Sequence, residues 1–243
     1  LVFRFLDTTQ PDAMDALRKI YKADTEDTLI NYFNTEITKK RGSLIEFLKH
    51  GVEVSGQKLD FMYQKPATSI NKDLNRKYEQ NIFSVMKEVY ATDDERIDLV
   101  IFLNGFAIMS FELKCNLSGQ SYEDAIEQYR KDRNPNSRLF LFKAGCLVHF
   151  AMDLNEVYMT TKVDGEKTYF LPFNMGRGEG VNAGKGNPIY QDKYSVAYMW
   201  EDILTKDPVL DLVGRYIFVQ VKEEENSVTG KKKGTETLIF PRY

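Results

Sequence analysis

The chain has 243 residues, of which 42% are hydrophobic and 28% are charged, as in an ordinary soluble globular protein. This length allows one large α/β domain with a sizeable core. The net charge of −3 excludes a uniformly basic nucleic-acid-binding protein, although basic residues can still cluster locally. Every apolar run is shorter than the roughly 18 residues that a membrane-spanning helix requires.

The cysteines indicate a reducing compartment. Cys115 and Cys146 form no CxxC pattern, so we expect neither a zinc–thiolate site nor a disulfide framework. Without a signal-peptide pattern, the sequence predicts a cytoplasmic protein with no membrane partner. The opening LVFRF and the closing LIFPRY suggest a piece of a longer protein.

Helical patterns dominate the N-terminal part. Pro11 follows Gln10 near a helix start, and apolar residues then recur on one face, which predicts helices over residues 10–50. Another helix is predicted over residues 75–90. Its apolar stripe consists of Tyr78, Ile82, Val85, Met86 and Val89.

The segment ERIDLVIFLNGFAIMSFELK, residues 95–114, predicts a β-hairpin. Asn104-Gly105 between two apolar segments is the strongest short-range hairpin signal. Both faces of the first segment are apolar, so we expect its strand inside a sheet, where Asp98 does not lie on a solvent-exposed edge. Glu112 and Lys114 share one face of the second strand.

The register of this hairpin decides whether the two acids meet. With a strict two-residue turn, Asp98 would face Phe111 and not Glu112. One residue therefore has to be out of register. We predict a type I turn at Asn104-Gly105 followed by a glycine bulge, because Gly105 tolerates the left-handed conformation.

Two carboxylates and an amine at one place point to metal-dependent phosphodiester cleavage. A buried carboxylate without a partner costs several kcal/mol, and a divalent cation between two acids relieves that cost. In such a site Asp98 and Glu112 hold Mg²⁺ against the phosphate, and Lys114 acts on the attacking water. The alternative is an ordinary Glu–Lys pair on an exposed strand, with an aspartate at a strand end.

A helix and two further strands are predicted after the hairpin. Ser121 and Asp124 form a capping pair at the start of a helix over residues 121–133. Strands are predicted over residues 139–142 and 146–152. The whole pattern predicts an α/β fold, in which helices flank a mixed β-sheet and an N-terminal helical part precedes it.

The C-terminal part begins with a loop of five glycines over residues 176–186. It is not a phosphate-binding loop, because Glu179 stands where the first glycine would have to be. Helical or mixed elements are predicted over residues 198–204 and 209–221. The charged segment EEENSVTGKKKG that follows indicates a linker.

Several segments carry a family resemblance. IDLVIFLNG and FELK resemble the PD-(D/E)XK nuclease superfamily, with Ile97 in place of the proline before the first acid. The longer stretch FELKCNLSGQSYEDAIEQYRKDRNPNSRLF, with VHFAMDLNEVYMTT and FLPFN, is similar to the N-terminal endonuclease region of the R (restriction) subunit of type I restriction enzymes. The resemblance runs from about Arg41 to the end, where LIFPRY is similar to the start of the family's ATP-driven DNA translocation motor.

The resemblance implies a restriction-endonuclease-like fold and a domain organisation. Residues 1–220 would form the endonuclease domain, with a catalytic core at about 75–152. Residues 221–243 would lead toward the ATP-dependent motor, which this chain lacks. The implied activity is DNA cleavage without sequence preference of its own, in an ATP-driven restriction–modification complex.

The resemblance also implies roles for single residues. Asp98 and Glu112 would be metal ligands, the carbonyl of Leu113 a third ligand, and Lys114 the residue that acts on water. Mg²⁺ is the implied cofactor of this domain, whereas ATP belongs to the motor.

The helix after the catalytic strand departs from the family pattern, which has a Gln and, four positions later, a Tyr. Here Gln128 is followed directly by Tyr129, and position 132 is Asp132. Either Gln128 fills the glutamine role and the tyrosine is lost, or Tyr129 fills the tyrosine role and Ala125 has replaced the glutamine. We favour Gln128.

Basic residues at the end of this helix are predicted DNA contacts. Arg130, Lys131 and Arg133 would bind phosphates, which positions a duplex without reading its sequence. For Arg130 and Lys131 the alternative is ion pairing with Glu123 and Glu127. The implied partners are double-stranded DNA and the specificity and methyltransferase subunits; the alternative function is a non-catalytic DNA-binding or docking module that retains the nuclease fold.

Overall fold

The computed structural model describes residues 1–178, 185–225 and 232–241. The N-terminal part is helical, which confirms the prediction for residues 10–50. Ser43 caps the fourth helix, because its side chain accepts a hydrogen bond from the N–H of Glu46 at 3.2 Å. The helices are α1 (Val2–Thr9), α2 (Pro11–Tyr21), α3 (Thr25–Thr38) and α4 (Leu44–His50).

The remaining helices and strands follow in chain order. They are β1 (Val52–Val54), β2 (Gln57–Leu59), α5 (Lys72–Glu79), β3 (Phe83–Tyr90), β4 (Arg96–Leu103), β5 (Phe106–Leu113), α6 (Tyr122–Lys131), β6 (Val148–Met152), β7 (Val157–Thr160), β8 (Leu171–Pro172), α7 (Lys206–Asp211), β9 (Phe218–Glu225) and β10 (Lys232–Ile239). Two π-helical segments, Met199–Ile203 and Leu212–Tyr216, flank α7.

Within the described residues, six strands form one mixed sheet in the order β3–β4–β5–β6–β7–β8. Neighbouring strands are antiparallel except β5 and β6, which are parallel and are connected through α6. Parallel neighbours require such a crossover. The predicted α/β fold with a mixed sheet, flanking helices and an N-terminal helical part is therefore confirmed, and β4 and β5 are interior strands.

Both faces of the sheet are covered. On one face lies an aromatic cluster in which the rings of Phe47 and Phe61 stack with their centroids 4.1 Å apart. On the other face α6 buries Ala125 and Tyr129 against Val100 of β4. The capping pair predicted for α6 is present. The Ser121 side chain accepts a hydrogen bond from the backbone N–H of Asp124, and the Asp124 carboxylate accepts one from the backbone N–H of Ser121 at 2.8 Å.

The predicted helix over residues 75–90 is wrong in its second half. It ends at Glu79, and β3 follows as an edge strand paired with β4. The side chain of Asn81 donates hydrogen bonds to the carbonyls of Tyr63 and Tyr78, both at 2.8 Å, which ties the chain down where the helix ends. The spacing of apolar residues in FSVMKEVY fits both a helix and a strand, so it could not distinguish them. Pairing with β4 makes this segment a strand.

The segments after α6 also differ from their predictions. Residues 139–142 form turns and not a strand, whereas the strand predicted over 146–152 is confirmed as β6. The presumed charged linker contributes to the antiparallel β9–β10 hairpin. Leu238 and Phe240 at the end of that hairpin are buried in the main core, so this segment packs on the body of the domain.

Parts of two sequence predictions lie outside the described residues, namely 179–184 of the glycine-rich loop and 226–231 of the charged segment. No helix in the described ranges has the length and apolar character needed to cross a membrane. Cys115 and Cys146 are both free.

Candidate active site

Asn104 and Gly105 form the tight turn of the β4–β5 hairpin. Both residues have positive φ, 50° and 93°, as in a type I′ turn and not in the type I turn that the sequence predicted. Gly105 also lies against the start of α1, where an added Cβ would come within 2.9 Å of the backbone nitrogen of Val2. The turn is therefore fixed by both its conformation and its packing.

The residue out of register is confirmed, but it lies in the strand and not at the turn. Near the turn, Leu103 pairs with Phe106; beyond a bulge, Ile101 pairs with Met109. Ile108 is the extra residue, so the predicted glycine bulge at Gly105 is wrong. A bulge inside a strand changes which side chains face each other across the remainder of the hairpin.

The bulge brings the two acids together. Continuing the register of Leu99 with Phe111 sets Asp98 opposite Glu112. The carboxylate of Asp98 accepts a hydrogen bond from the backbone N–H of Leu113 at 2.7 Å, and it lies close enough to Glu112 to raise the pKa of that carboxyl. Asp98 is half-buried, whereas Glu112 is fully buried.

Glu112 has a partner that the sequence did not indicate. Nε and Nη2 of Arg133 contact the same oxygen, Oε1 of Glu112, at 2.8 and 2.7 Å. The Arg133 side chain is only 5% exposed, so the predicted surface contact with DNA is wrong for this residue. The reason is that α6 ends at Lys131, and the chain then turns Arg133 toward the sheet instead of continuing along the helix.

The second oxygen of Glu112, Oε2, is buried without a hydrogen-bond partner. The pKa of Glu112 is raised to about 7, chiefly by burial; the Arg133 guanidinium opposes this rise and the nearby Asp98 carboxylate adds to it. An orphaned buried oxygen beside a second carboxylate is a donor set that suits a hard divalent cation. Such a cation would depend on these two acids and on main-chain oxygens such as the Leu113 carbonyl, because the described residues contain no group of three or more His, Cys, Asp or Glu able to hold a metal.

Lys114 lies next to the acids on the same strand end. Its Nζ donates a hydrogen bond to Oε1 of Gln128 on α6 at 2.5 Å. Both side chains line an open polar cleft of about 450 Å³. The other lining residues are Gln120, Asp124, Glu127, Lys131 and Asp132.

Tyr129 points away from this cleft into the core. Its hydroxyl lies 2.9 Å from Oγ of Ser110, which in turn lies 2.8 Å from Nδ1 of His149. Burial lowers the pKa of His149 to about 3, so its ring is neutral. Of the two assignments for the helix, the structure therefore brings only Gln128 to Lys114. Sequence reasoning missed this buried polar trio, although Ser110 shares its strand face with Glu112.

The two other basic residues predicted as DNA contacts are on the surface and engaged in ion pairs. Arg130 and Lys131 contact the carboxylate of Glu127 at 3.5 and 2.6 Å. Arg130 also donates to the carbonyl of Thr168 at 3.2 Å. Both residues therefore form the ion pairs that the sequence analysis gave as the alternative to DNA contacts, with Glu127 and not Glu123 as the partner.

Comparison with known proteins identifies the family. The family described as "Type I restriction enzyme R protein N terminus" matches residues 7–168. A search of curated proteins finds no match. The matched range contains α2 to β7 and every residue of the candidate site. The chain therefore belongs to the family of N-terminal regions of type I restriction enzyme R proteins, which are parts of restriction enzymes.

Proposed function

We propose that the chain is the Mg²⁺-dependent endonuclease domain of a type I restriction enzyme R subunit. It would hydrolyse DNA phosphodiester bonds without sequence preference of its own, inside a complex whose motor consumes ATP. The observation that carries the proposal is the bulge at Ile108, because it sets Asp98 against Glu112 at the strand end that also carries Lys114.

Each residue has a specific task in this proposal. Asp98 and Glu112 would hold the cation, with the Leu113 carbonyl as a further ligand. When bound, Mg²⁺ supplies positive charge against the phosphate and favours ionisation of a bound water. The Lys114 ammonium has three donors, of which Gln128 takes one. The remaining donors can orient the attacking water or stabilise charge on a phosphate oxygen.

The cleft beside Lys114 would receive the DNA backbone. Lys131 lines it and Arg130 lies next to it on α6, so both can reach phosphates if their ion pairs with Glu127 open. Surface ion pairs of this kind are worth about 0–1 kcal/mol, so opening them costs little. Phosphate contacts carry no sequence information, which is consistent with target choice by separate specificity and methyltransferase subunits.

The test separates cleavage from motor activity in the complete restriction complex. Lys114→Ala removes an amine at the site, and Lys162→Ala removes an exposed lysine that is paired with Asp164 at 2.8 Å. We expect K114A to abolish plasmid cleavage while ATP turnover stays at the level of the unmodified complex, and K162A to retain both. Unchanged cleavage by K114A would refute the nuclease and leave the alternative of a non-catalytic DNA-binding or docking module.

A further inference from the structure

We infer that Arg133 is a positioning residue that fixes the geometry of both acids toward the cation. This inference rests on the proposed function, because it concerns the same site. Arg133 directs two N–H groups to Oε1 of Glu112 and so determines that Oε2 is the oxygen left for the metal.

The same guanidinium also braces the strand that carries the other acid. Nη2 of Arg133 donates to the backbone carbonyl of Arg96 at 3.2 Å, and Arg96 stands two residues before Asp98 on β4. Nη1 donates to the carbonyl of Asp132 at 3.3 Å. One side chain therefore connects β4, β5 and the end of α6, and it ties Asp98 and Glu112 into one rigid unit.

The backbone around Arg133 is held in place as well. The N–H of Asn134 donates to both carboxylate oxygens of Glu95, at 3.1 and 3.2 Å. Glu95 directly precedes β4, so the segment after α6 is fastened to the same strand by two sets of bonds. This fastening keeps the guanidinium from swinging out of the interior.

Burial distinguishes this pair from the other ion pairs of the described residues. The side chains of Arg133 and Glu112 are 5% and 0% exposed. In every other ion pair of the described residues, at least one of the two side chains is 36% exposed or more. A planar guanidinium can give two N–H groups to a carboxylate and a third to a carbonyl, and a lysine ammonium cannot reproduce this fork. Residues that orient metal ligands in this way typically contribute 10–100-fold to metal affinity.

The experiment measures cation binding directly and needs no cleavage. Mn²⁺ binding to the 243-residue chain is titrated by electron paramagnetic resonance for the unmodified protein, R133Q and R133K, with thermal unfolding as a check on folding. We expect R133Q to weaken Mn²⁺ binding about 10–100-fold and R133K to give an intermediate value. The matched control is R18Q, because Arg18 forms a pair with Asp7 of similar length, 2.7 Å, on the surface of the N-terminal helices; its Mn²⁺ binding should be unchanged.

Unchanged or tighter Mn²⁺ binding by folded R133Q would overturn the inference. If R133Q does not fold, R133K decides, and an affinity equal to that of the unmodified protein overturns it. A further variant, D98N, separates this result from failure of the proposed function. Loss of Mn²⁺ binding in D98N with full binding in R133Q overturns the role of Arg133 alone, whereas full Mn²⁺ binding in D98N overturns the metal site itself.

Discussion

The two ends of the β4–β5 hairpin both bury polar side chains, but only one end satisfies them. At the turn, Oδ1 of Asn104 accepts from the N–H of Ile82 at 2.6 Å, and its amide donates to Phe61 O and to Asn81 at 2.7 and 3.0 Å. At the other end, Oε2 of Glu112 is buried without a partner.

The difference separates a structural role from a functional one. Buried polar groups in folded proteins are nearly always hydrogen-bonded, so an orphaned carboxylate oxygen requires an explanation. The turn cluster stabilises the hairpin, because the side-chain oxygen and the side-chain amide of Asn104 are both hydrogen-bonded. In the proposed function, the acid end keeps Oε2 of Glu112 available for a cation, at a cost to the stability of the folded chain.

Replacing Asp98 should give the largest effect and should separate stability from activity. In D98N the side-chain oxygen can still accept from Leu113 N–H, and the new amide can donate to Glu112. We expect cleavage by the complete complex to fall at least about 10³-fold, because Asp98 is a metal ligand in the proposed function. In the absence of metal, the free energy of unfolding should rise by about 1 kcal/mol, since one carboxylate charge is removed and a hydrogen bond is gained.

The measurements are plasmid cleavage and urea unfolding with a chelator present. A D98N chain that is less stable than the unmodified one would contradict the view that this end of the hairpin is strained by function.

The turn end should respond in the opposite way. Asn104→Ala leaves Ile82 N–H and Phe61 O without their partners, and alanine is disfavoured at a φ of 50°. Since each unsatisfied buried group costs about 1–3 kcal/mol, we expect a loss of roughly 3 kcal/mol or more in urea unfolding. Asn31→Ala on the exposed side of α3 is the control and should change stability by less than about 0.5 kcal/mol.

Cleavage per folded molecule should be retained in N104A, because the turn lies at the far end of the strands. A specific loss of cleavage at full folding would show that the two ends are coupled.

The sequence predicted that Asp98 and Glu112 lie together, whereas the geometry that joins them was predictable only in part. Asn104-Gly105, alternation along the strands and the need for Asp98 to meet Glu112 together required one residue out of register. The position of that residue could not be read, because Ile108 is an ordinary apolar strand residue and a bulge there leaves no mark in composition. The glycine offered a local solution at the turn, but Asn104 and Gly105 form a type I′ turn and the bulge lies three residues further along the strand, at Ile108.

Arg133 shows a second limit of sequence reasoning. An arginine at the end of an amphipathic helix usually lies on the surface, so a DNA contact was the natural interpretation. Arg133 is buried because α6 ends at Lys131 and because the backbone N–H of Asn134 bonds to Glu95, just before β4. The second contact joins residues far apart in the chain, so the local sequence pattern does not indicate it. The strand β3 was missed for a related reason, since pairing with β4 overrode its helical spacing.

The pH dependence of stability should reveal the buried histidine on the face that carries Glu112. The pKa of His149 is lowered from 6.5 to about 3, so the unfolded chain takes up this proton first as the pH falls. Its contribution to stability is therefore complete above pH 6.5 and is lost progressively as the pH falls toward 3. Between pH 6.5 and 5 the loss of this contribution should amount to about 2 kcal/mol. It is measured as the difference between the unmodified chain and H149F, because Glu112, whose pKa is raised to about 7, changes stability in the opposite direction over the same range.

Urea unfolding at several pH values checks this expectation. His149→Phe should remove that part of the pH dependence, whereas His50→Gln, at an exposed position paired with Glu46, should retain it. Equal pH dependence in H149F and the unmodified chain would mean that another group is responsible.

The smallest expected effect tests which residue of α6 serves the acid end of the hairpin. Tyr129 donates to or accepts from Ser110 inside the core, and burial raises the pKa of Tyr129 well above its usual range, so the hydroxyl stays neutral. Tyr129→Phe removes one hydrogen bond and should reduce stability by about 1 kcal/mol with cleavage unchanged. Gln128→Ala should reduce cleavage and leave stability nearly unchanged. Cleavage falls because Lys114 loses the acceptor that positions it, and stability is kept because water in the open cleft can replace the lost hydrogen bond. We expect cleavage by Q128A to fall about tenfold with stability within about 0.5 kcal/mol of the unmodified chain. If Y129F loses cleavage and Q128A does not, Tyr129 and not Gln128 is the residue of α6 that supports the acid end, and it acts there through Ser110.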